Sequence, residues 1–318
     1  MFLSKTVRVA ALLASLAASA VHAAAPMAKT PAPGYFRMML GDFEVTALSD
    51  GTVNLPMDKL LTNVKPEELS AAFAKAHISA PVETSVNAFL INTGAKLVMI
   101  DSGAGAMFGP TLGKLVANLK ASGYQPEQVD EIYITHMHGD HIGGLVNGSG
   151  QALFPNAILR ADKAEADFWL NSANAEKVAP DMKGGFKAAQ TAIAPYQALG
   201  HFKPFEGGVE LVPGVTAQAA HGHTPGHAVY VVSSKGQKLV LIGDLIHVGA
   251  VQFADPGVTI AFDSDSKAAL AERQKLFADA AKQGYMLGAP HISFPGLFYL
   301  HADGKGFQPV PVNFTQMN

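Results

Sequence analysis

Four potential metal ligands lie within six consecutive positions of the chain. Residues 135–144 read THMHGDHIGG, which places His136, His138, Asp140 and His141 directly after an apolar, strand-like stretch. Side chains two positions apart on an extended segment point the same way, so His136 and His138 are expected to face one ion. Asp140 and His141, in the turn that follows, can then face a second ion. Imidazole and carboxylate donors suit zinc and related first-row metals, whereas a helix entry with surface histidines is the alternative interpretation.

Further ligands must come from distant parts of the chain, because a site for two metals needs about three protein groups per ion and a shared bridge. Three segments qualify: His223 in the loop HGHTPGH, Asp244 at the end of the apolar stretch LVLIGD, and His291 in GAPHISF. Taken alone, Asp244 would be a strand-end capping residue and His291 a satisfied buried histidine. Beside the first cluster, all three are predicted to be ligands.

Two segments of the chain repeat one pattern, and the ligands depend on it for their positions. Residues 87–101 and 228–244 each contain two β-rich runs, joined by a Gly-containing turn and ending in an aspartate. This repetition predicts two similar halves with one sheet each. With helices on the outside, the predicted fold class is α/β, an αββα sandwich with ligands at strand ends along one edge.

Three further elements are predicted from local patterns. Apolar residues at helical spacing predict helices over 111–121 and 266–283. Asp265 or Ser266 is expected to cap the second helix, and Gly284 to end it. The segment 292–314 contains an Asp-Gly turn signal and is predicted to form a closing hairpin.

The order of these motifs resembles the metallo-β-lactamase-fold hydrolase superfamily over nearly the whole mature chain. The motifs are H-x-H-x-D-H, then His223 within H-x-T-P-G-H, then Asp244 and His291. Asp140 followed by His141, with a bridging Asp244, is similar to the glyoxalase II and lactonase branches. The segments AHGHTPGH, GDLIHV and HISFPG resemble methyl parathion hydrolase and related dihydrocoumarin-type lactonases.

The resemblance implies a ligand set for two divalent metal ions. His136, His138 and His223 would hold the first ion and Asp140, His141 and His291 the second, with Asp244 as the bridge. Zinc is the expected metal, and manganese, iron or cobalt are alternatives for the same donors. The ions would share a hydroxide that attacks the substrate, with Asp140 and Asp244 as the residues assigned to catalysis. Asp101 is expected to accept a hydrogen bond from a ligand imidazole, or else to cap a turn.

The resemblance also suggests a substrate pocket and a reaction. The expected pocket residues are Phe108, Trp169, Phe186, His247 and Phe262, and core packing is the alternative for each phenylalanine. Of the remaining histidines, His227 is expected to form structural hydrogen bonds and His221 to lie on a loop surface. The expected function is the opening of an aromatic lactone or aryl ester. Phosphotriester hydrolysis of the methyl parathion type, β-lactam hydrolysis and non-catalytic metal binding are the alternatives.

Composition sets the remaining expectations. The 318 residues, 48% of them hydrophobic, suffice for a large core, and the absence of cysteine excludes disulfides and thiolate metal sites. Lys5 and Arg8, a following apolar run and small residues at positions 21 and 23 predict a secretory signal over 1–23. A flexible arm over 24–34 and a hydrolase domain over 35–318 would follow, in a periplasmic or secreted protein.

Charge and hydropathy bear on the partners. The chain carries 23 Lys and Arg against 26 Asp and Glu, so a nucleic-acid substrate is not expected. Beyond the signal segment no stretch is long and apolar enough for a membrane anchor. The expected partner is a small apolar ester, lactone or phosphotriester. The oligomeric state is left open, with a homodimer as one option.

Overall fold

The computed structural model describes residues 25–180 and 182–315. The chain divides into a unit Met1–Ala32, whose described residues 25–32 form no helix or strand, and a unit Pro33–Asn318. The predicted signal segment 1–23 lies outside the described residues, and the predicted domain boundaries stay a prediction. Within the described ranges, no helix combines the length and apolar character needed to cross a membrane.

In its described residues the larger unit contains strands, helices and three short 3-10 turns. The strands are β1 Tyr35–Leu40, β2 Phe43–Leu55, β3 Leu61–Thr62, β4 Val82–Asn92, β5 Leu97–Ile100, β6 Glu131–Tyr133, β7 Ile158–Arg160, β8 Val209–Val212, β9 Val215–Ala219, β10 Ala228–Ser234, β11 Gln237–Leu241, β12 Thr259–Ile260, β13 Met286–Gly288, β14 Leu297–Asp303 and β15 Gly306–Pro311. The helices are α1 Met57–Leu60, α2 Pro66–Lys75, α3 Leu115–Ala121, α4 Gly139–Ile142, α5 Lys163–Trp169, α6 Ser172–Ala175, α7 Lys183–Ala198, α8 Gly249–Gln252 and α9 Ser266–Gln283. The 3-10 turns are Pro126–Gln128, Gly143–Leu145 and Gly243–Leu245.

Two large sheets form the centre of the molecule. The first has the strand order β1-β2-β4-β5-β6-β7, and the second has the order β15-β14-β13-β11-β10-β9-β8. One core cluster lies between the sheets, with Phe89 and Ile100 from the first and Tyr230 and Leu241 from the second. A second cluster packs α3, α5 and α7 on the first sheet, and a third packs α9 on the second. The predicted αββα sandwich is therefore confirmed.

The two halves share one local topology, as their repeated pattern predicts. In the first half β4 pairs antiparallel with β5, and β5 pairs parallel with β6. In the second half β10 pairs antiparallel with β11, and β11 pairs parallel with β13. Helix α3 connects the parallel pair in the first half, and α9 does so in the second. The closing hairpin is also present, because β14 and β15 pair across a turn after Asp303.

The predicted helices differ in how well their ends agree with the structure. Helix α9 spans Ser266–Gln283 as predicted, with the Asp265 side chain accepting from two backbone amides at its start and Gly284 in the left-handed region at its end. The first predicted helix begins at Leu115 rather than at residue 111. Gly113 has a φ of +79°, and the Asp50 carboxylate, from a distant strand, accepts from the amides of Gly113 and Leu115. This tertiary contact fixes a turn where the local pattern predicts helix.

Candidate metal centre

All seven predicted ligands lie in short segments that follow strands. His136 and His138 follow β6, and Asp140 and His141 lie in α4 immediately afterwards. The strand-like stretch before this cluster ends at Tyr133, so the two histidines lie in an extended loop rather than on the strand itself. The other three lie in the second half. They are His223 after β9, Asp244 after β11 and His291 after β13.

The first group brings three imidazoles together around one carboxylate oxygen. The Nε2 of His136 lies 3.0 Å from the Nδ1 of His138, which lies 3.2 Å from the Nε2 of His223. The Oδ2 of Asp244 lies 3.5 Å from the Nε2 of His136 and 3.3 Å from the Nε2 of His223. Three ring nitrogens directed at one point, in a buried place, form a donor set that a divalent metal fits.

The second group surrounds the other oxygen of the same carboxylate. The Oδ1 of Asp244 lies 3.2 Å from the Nε2 of His141 and 3.2 Å from the Nε2 of His291. The Oδ2 of Asp140 lies 3.7 Å and 3.4 Å from these two nitrogens. Asp244 therefore presents one oxygen to each group, which is the arrangement that a bridging carboxylate requires.

Unpartnered atoms provide a further test of whether metals fit. The Nε2 of His141 and the Oδ1 of Asp244 are buried and have no hydrogen-bond partner. A buried polar atom left without a partner costs about 1–3 kcal/mol. Both atoms belong to the second group and both point at its centre, so an ion there would satisfy them.

The ring nitrogens that face away from the two groups are held by other parts of the chain. The Nδ1 of His141 lies 2.9 Å from Asp101, which also accepts from the amide and hydroxyl of Thr135. Because that hydroxyl donates to Asp101, its oxygen accepts from the Nδ1 of His136 at 3.1 Å. The hydrogen bond expected of Asp101 is thus present. These bonds occupy the Nδ1 atoms, so the Nε2 atom of each histidine is the one that faces the ligand groups and would bind a metal.

Two more partners come from segments that the motifs do not include. Asp263 lies 2.9 Å from the Nδ1 of His223, and the carbonyl oxygen of Ser85 lies 2.9 Å from the Nδ1 of His291. Both were missed by sequence reasoning. No local pattern marks Ser85, whereas the only sequence signal for Asp263 is its position directly after the predicted pocket residue Phe262.

His227 and His221 lie outside both ligand groups. His227 is fully buried, and its Nε2 accepts from the backbone amide of Asp244 at 3.0 Å while its Nδ1 faces the carbonyl of Ala220 at 3.1 Å. It therefore holds the backbone beneath the bridging carboxylate. The half-exposed His221 lies 3.6 Å from Asp162 and contributes no atom to either group.

The charges of the metal-free site are strongly coupled. Burial alone would raise the pKa of Asp244, but His291 and His141 lower it to well below its usual range. Burial alone would lower the pKa of His223, but its contacts with Asp244 and Asp263 raise it to about 9. For His138, burial and the neighbouring His223 lower the pKa to about 3. The carboxylates are therefore ionised at neutral pH, and part of the imidazole set holds protons that a metal would displace.

An apolar pocket with a volume of about 560 Å³ opens above the two groups. Its floor contains His138, Asp140, Asp244 and His291 from the ligand set. Its described walls contain Val53, Leu55, Phe108, Leu112, Trp169, Met182, Ala261 and Phe262, and no Lys or Arg is among them. Of the predicted pocket residues, Phe108, Trp169, His247 and Phe262 line this cavity.

Phe186 is the predicted pocket residue that the structure places elsewhere. It is almost fully buried on α7, and its ring packs against Trp169 at a centroid distance of 4.7 Å. Trp169 lines the cavity and makes a T-shaped contact with the ring of His138. In this structure Phe186 therefore takes the core-packing alternative, because a single sequence does not show which of two packed aromatic rings faces the cavity.

His247 occupies the boundary between the pocket and the ligand groups. Its Nε2 lies 3.1 Å from the Oδ2 of Asp244, and its ring stacks on His291 at 5.3 Å. With Asp244 and His291 it forms a third set of donors close enough to hold an ion. Phe262 lies beside it, with ring centroids 6.1 Å apart.

Comparison with known proteins identifies similar chains. The family model described as the metallo-beta-lactamase superfamily matches residues 81–282. The crystal structure of hydrolase AbOPH of the beta lactamase superfamily is 40% identical, with a TM-score of 0.86, and the match covers 90% of this chain and 100% of that one. AidC, a dizinc quorum-quenching lactonase in complex with a product N-hexanoyl-L-homoserine, is 28% identical with a TM-score of 0.82, covering 89% of this chain and 99% of that one.

Curated relatives match over shorter stretches. An N-acyl homoserine lactonase of Bacillus cereus is 29% identical over 154 residues, which are 48% of this chain and 52% of the relative. The ribonuclease TTHA0252 of Thermus thermophilus is 32% identical over 167 residues, which are 51% of this chain and 36% of the relative. The chain thus spans about half or less of the length of the curated relatives it matches.

Proposed function

Because the chain belongs to the metallo-beta-lactamase superfamily of metal-dependent hydrolases, we propose that it uses two divalent metal ions to open a neutral, apolar lactone or aryl ester. The observation that carries this proposal is that a metal-donor set and an apolar pocket lie in the same place. A seven-residue donor set of His and Asp forms the floor of a pocket whose described walls are apolar and contain no cationic side chain.

In this proposal the first metal is held by His136, His138 and His223, the second by Asp140, His141 and His291, and Asp244 serves both. Zinc is the expected metal, as in the dizinc lactonase AidC, and manganese, iron and cobalt suit the same donors. When bound, such a pair supplies a water of lowered pKa as nucleophile and polarises the carbonyl under attack.

The protein residues compensate charge, accept a proton and exclude water from the substrate. Asp244 places two negative oxygens between the groups and so offsets positive charge there. Asp140 borders the pocket, and His141 and His291 lower its pKa despite burial, so its carboxylate is ionised and can orient a water and accept a proton. The rings of Trp169, Phe108 and Phe262 exclude water from the bound apolar group.

The charge of the pocket favours a neutral substrate. A β-lactam antibiotic carries a carboxylate and a nucleic acid carries phosphates, and both are usually bound by Lys or Arg. The described pocket walls offer neither cation, so an anionic group lying along those walls would find no such partner. A neutral lactone or ester loses no such interaction on entering the pocket.

Two neutral substrate classes remain as alternatives. The first class is N-acyl homoserine lactones, because lactonases of that name are among the similar proteins. The acyl chain of such a substrate would lie along the apolar walls. A methyl parathion type phosphotriester is also uncharged, but its two alkoxy arms need more room beside His247 and Phe262. Non-catalytic metal binding is the alternative from a different class, and a pocket that opens directly onto the donor set speaks against it.

A substrate panel tests the proposal. Zinc-loaded protein is assayed on dihydrocoumarin, an aryl ester, an N-acyl homoserine lactone, methyl parathion and a cephalosporin, with kcat/KM as the readout. We expect turnover of the lactones or the aryl ester, loss of turnover with chelator, and recovery on adding metal. Preference for the cephalosporin, or turnover that survives complete metal removal, would overturn the proposal.

Export, the domain boundaries and oligomeric state also remain proposals. We propose that residues 1–23 direct export to the periplasm or medium, which N-terminal sequencing of the mature protein from its cell tests. Sedimentation of the purified protein tests whether it is a homodimer.

A further inference from the structure

Glu165 links the two segments that carry the first ligand group, although it contributes no atom to that group. It lies on α5, and its side chain is fully buried. A buried carboxylate is unfavourable unless hydrogen bonds or opposite charges compensate it. The hydrogen-bond partners of Glu165 are all uncharged, namely two backbone amides and one hydroxyl.

The two carboxylate oxygens reach different segments. The Oε1 accepts from the amide of Met137 at 2.7 Å, and this residue lies between His136 and His138. The Oε2 accepts from the hydroxyl of Thr224 at 2.7 Å and from the amide of Gly226 at 2.9 Å. One carboxylate thus spans the loop that carries two of the histidines and the loop that carries the third.

Helix α5 packs directly on the second of these loops. A Cβ atom placed on Gly226 would lie 2.0 Å from the backbone nitrogen of Glu165, so only glycine permits this approach. One helical turn after Glu165, Trp169 lines the pocket and makes a T-shaped contact with the ring of His138, with centroids 5.5 Å apart. The same face of α5 therefore contacts both ligand loops and the pocket wall.

We propose that Glu165 is a positioning residue that holds the His136–His138 loop and the His223 loop at the separation at which their three ring nitrogens converge. This inference rests on the proposed function only in taking those histidines as metal ligands. Burial raises the pKa of Glu165, and the three donors oppose that shift and favour the ionised form that accepts all three bonds.

The variant Glu165→Gln tests this role with little change of shape. Both oxygens of the carboxylate accept from a backbone amide, so either orientation of a glutamine amide directs its NH2 group at one of those amides. At least one of the two backbone bonds must then be lost. We expect the affinity for one of the two zinc ions to fall ten- to a hundredfold. This is the usual range when a hydrogen bond that supports a metal ligand is lost.

Two controls make the result specific. Glu131→Gln removes another buried glutamate, one that pairs with Arg160 at 2.7 Å and contacts neither ligand loop, and it is expected to leave both zinc affinities unchanged. Thr224→Ser keeps a hydroxyl donor to Glu165 whereas Thr224→Val removes it, so only the valine variant is expected to weaken one zinc site. This pair decides the question if Glu165→Gln does not fold.

Zinc affinities are measured by competition with a chromophoric chelator, and kcat and KM are measured separately on a neutral lactone. We expect kcat to fall with zinc occupancy while KM changes little, because the pocket walls are intact. Unchanged affinity for both ions in Glu165→Gln or Thr224→Val, or equal weakening in Glu131→Gln, would overturn the inference. Wild-type protein that binds two zinc ions but hydrolyses nothing would contradict the proposed function and leave this binding test in force.

Discussion

The Nδ1 of His223 lies 2.9 Å from the Oδ1 of Asp263, the residue that follows Phe262 in the chain. One short segment after β12 therefore orients an expected metal ligand and contributes an aromatic ring to the pocket wall. The metal group and the pocket are coupled through this loop.

Asp263→Ala should weaken metal binding, because it leaves the His223 ring without the partner that fixes its orientation. We expect a ten- to hundredfold loss of affinity for one ion, and a smaller loss in Asp263→Asn, which keeps an oxygen acceptor. Metal titration of the two variants checks this. Equal, wild-type affinity in both would show that His223 is oriented without Asp263.

Asp244→Ala should remove the group that both metal sites share. Two cations would then face each other with less negative charge between them, so at least one ion should be lost along with most activity. Elemental analysis of the purified variant gives the number of ions per chain. Asp279→Ala, at a carboxylate on the outer helix α9, is the matched control and should keep both ions. Two retained ions with near-normal activity in Asp244→Ala would remove Asp244 from the site.

Metal binding should release protons and should weaken as the pH falls. Burial opposes a raised pKa at His223 and His141, yet the surrounding carboxylates raise it to about 9 for His223 and well above the usual range for His141. Both rings are thus protonated at pH 7 in the metal-free protein, and a metal must displace those protons. Higher pH therefore favours binding, and the His223 contribution to this effect is lost as the pH rises through about 9.

Calorimetric titration with zinc in buffers of different ionisation enthalpy measures the number of protons released. Activity should fall below about pH 6 together with bound metal. Binding without proton release at pH 7, or a flat activity profile down to strongly acidic pH, would disagree with this account.

Substrate choice should depend on His247 and Phe262, which narrow the pocket beside the bridging carboxylate. His247→Leu with Phe262→Leu is expected to raise kcat/KM for methyl parathion and to lower it for dihydrocoumarin. A tenfold change corresponds to about 1.4 kcal/mol of differential transition-state binding. The His247 amide is held by Gln252 at 2.8 Å, so the backbone is not expected to move. If both substrates change in the same direction, the variant acts on the metals or on stability, and metal analysis separates these cases.

The ligand segments could be predicted from the sequence because their information is local. A dense run of His and Asp, and carboxylates at the ends of apolar strands, need no knowledge of distant residues. The same holds for α9, whose cap Asp265 and terminal Gly284 are adjacent to it in the chain.

Features that depend on distant contacts could not be predicted in this way. Asp50, on a strand far away in the chain, accepts a hydrogen bond from Leu115 and so fixes where α3 begins. Ser85 offers only its backbone carbonyl to His291. In the sequence Glu165 has the pattern of an ordinary helical glutamate. Its contacts with both ligand loops are visible only in the folded structure. Phe186 and Trp169 differ only in which ring faces the cavity, and packing alone decides that.

The hydrogen bonds of His227 determine where its single ring proton lies. Its Nε2 accepts from the Asp244 amide, so the proton must be on Nδ1, directed at the carbonyl of Ala220. Burial and the nearby His223 lower the pKa of His227 to about 3, so the ring is neutral and keeps this tautomer at pH values well above 3. A second proton would turn the acceptor into a donor facing another donor. His227 is therefore an uncharged ring that supports the backbone of Asp244. At pH values well above 3 it takes no part in the titration of the ligand histidines and carboxylates.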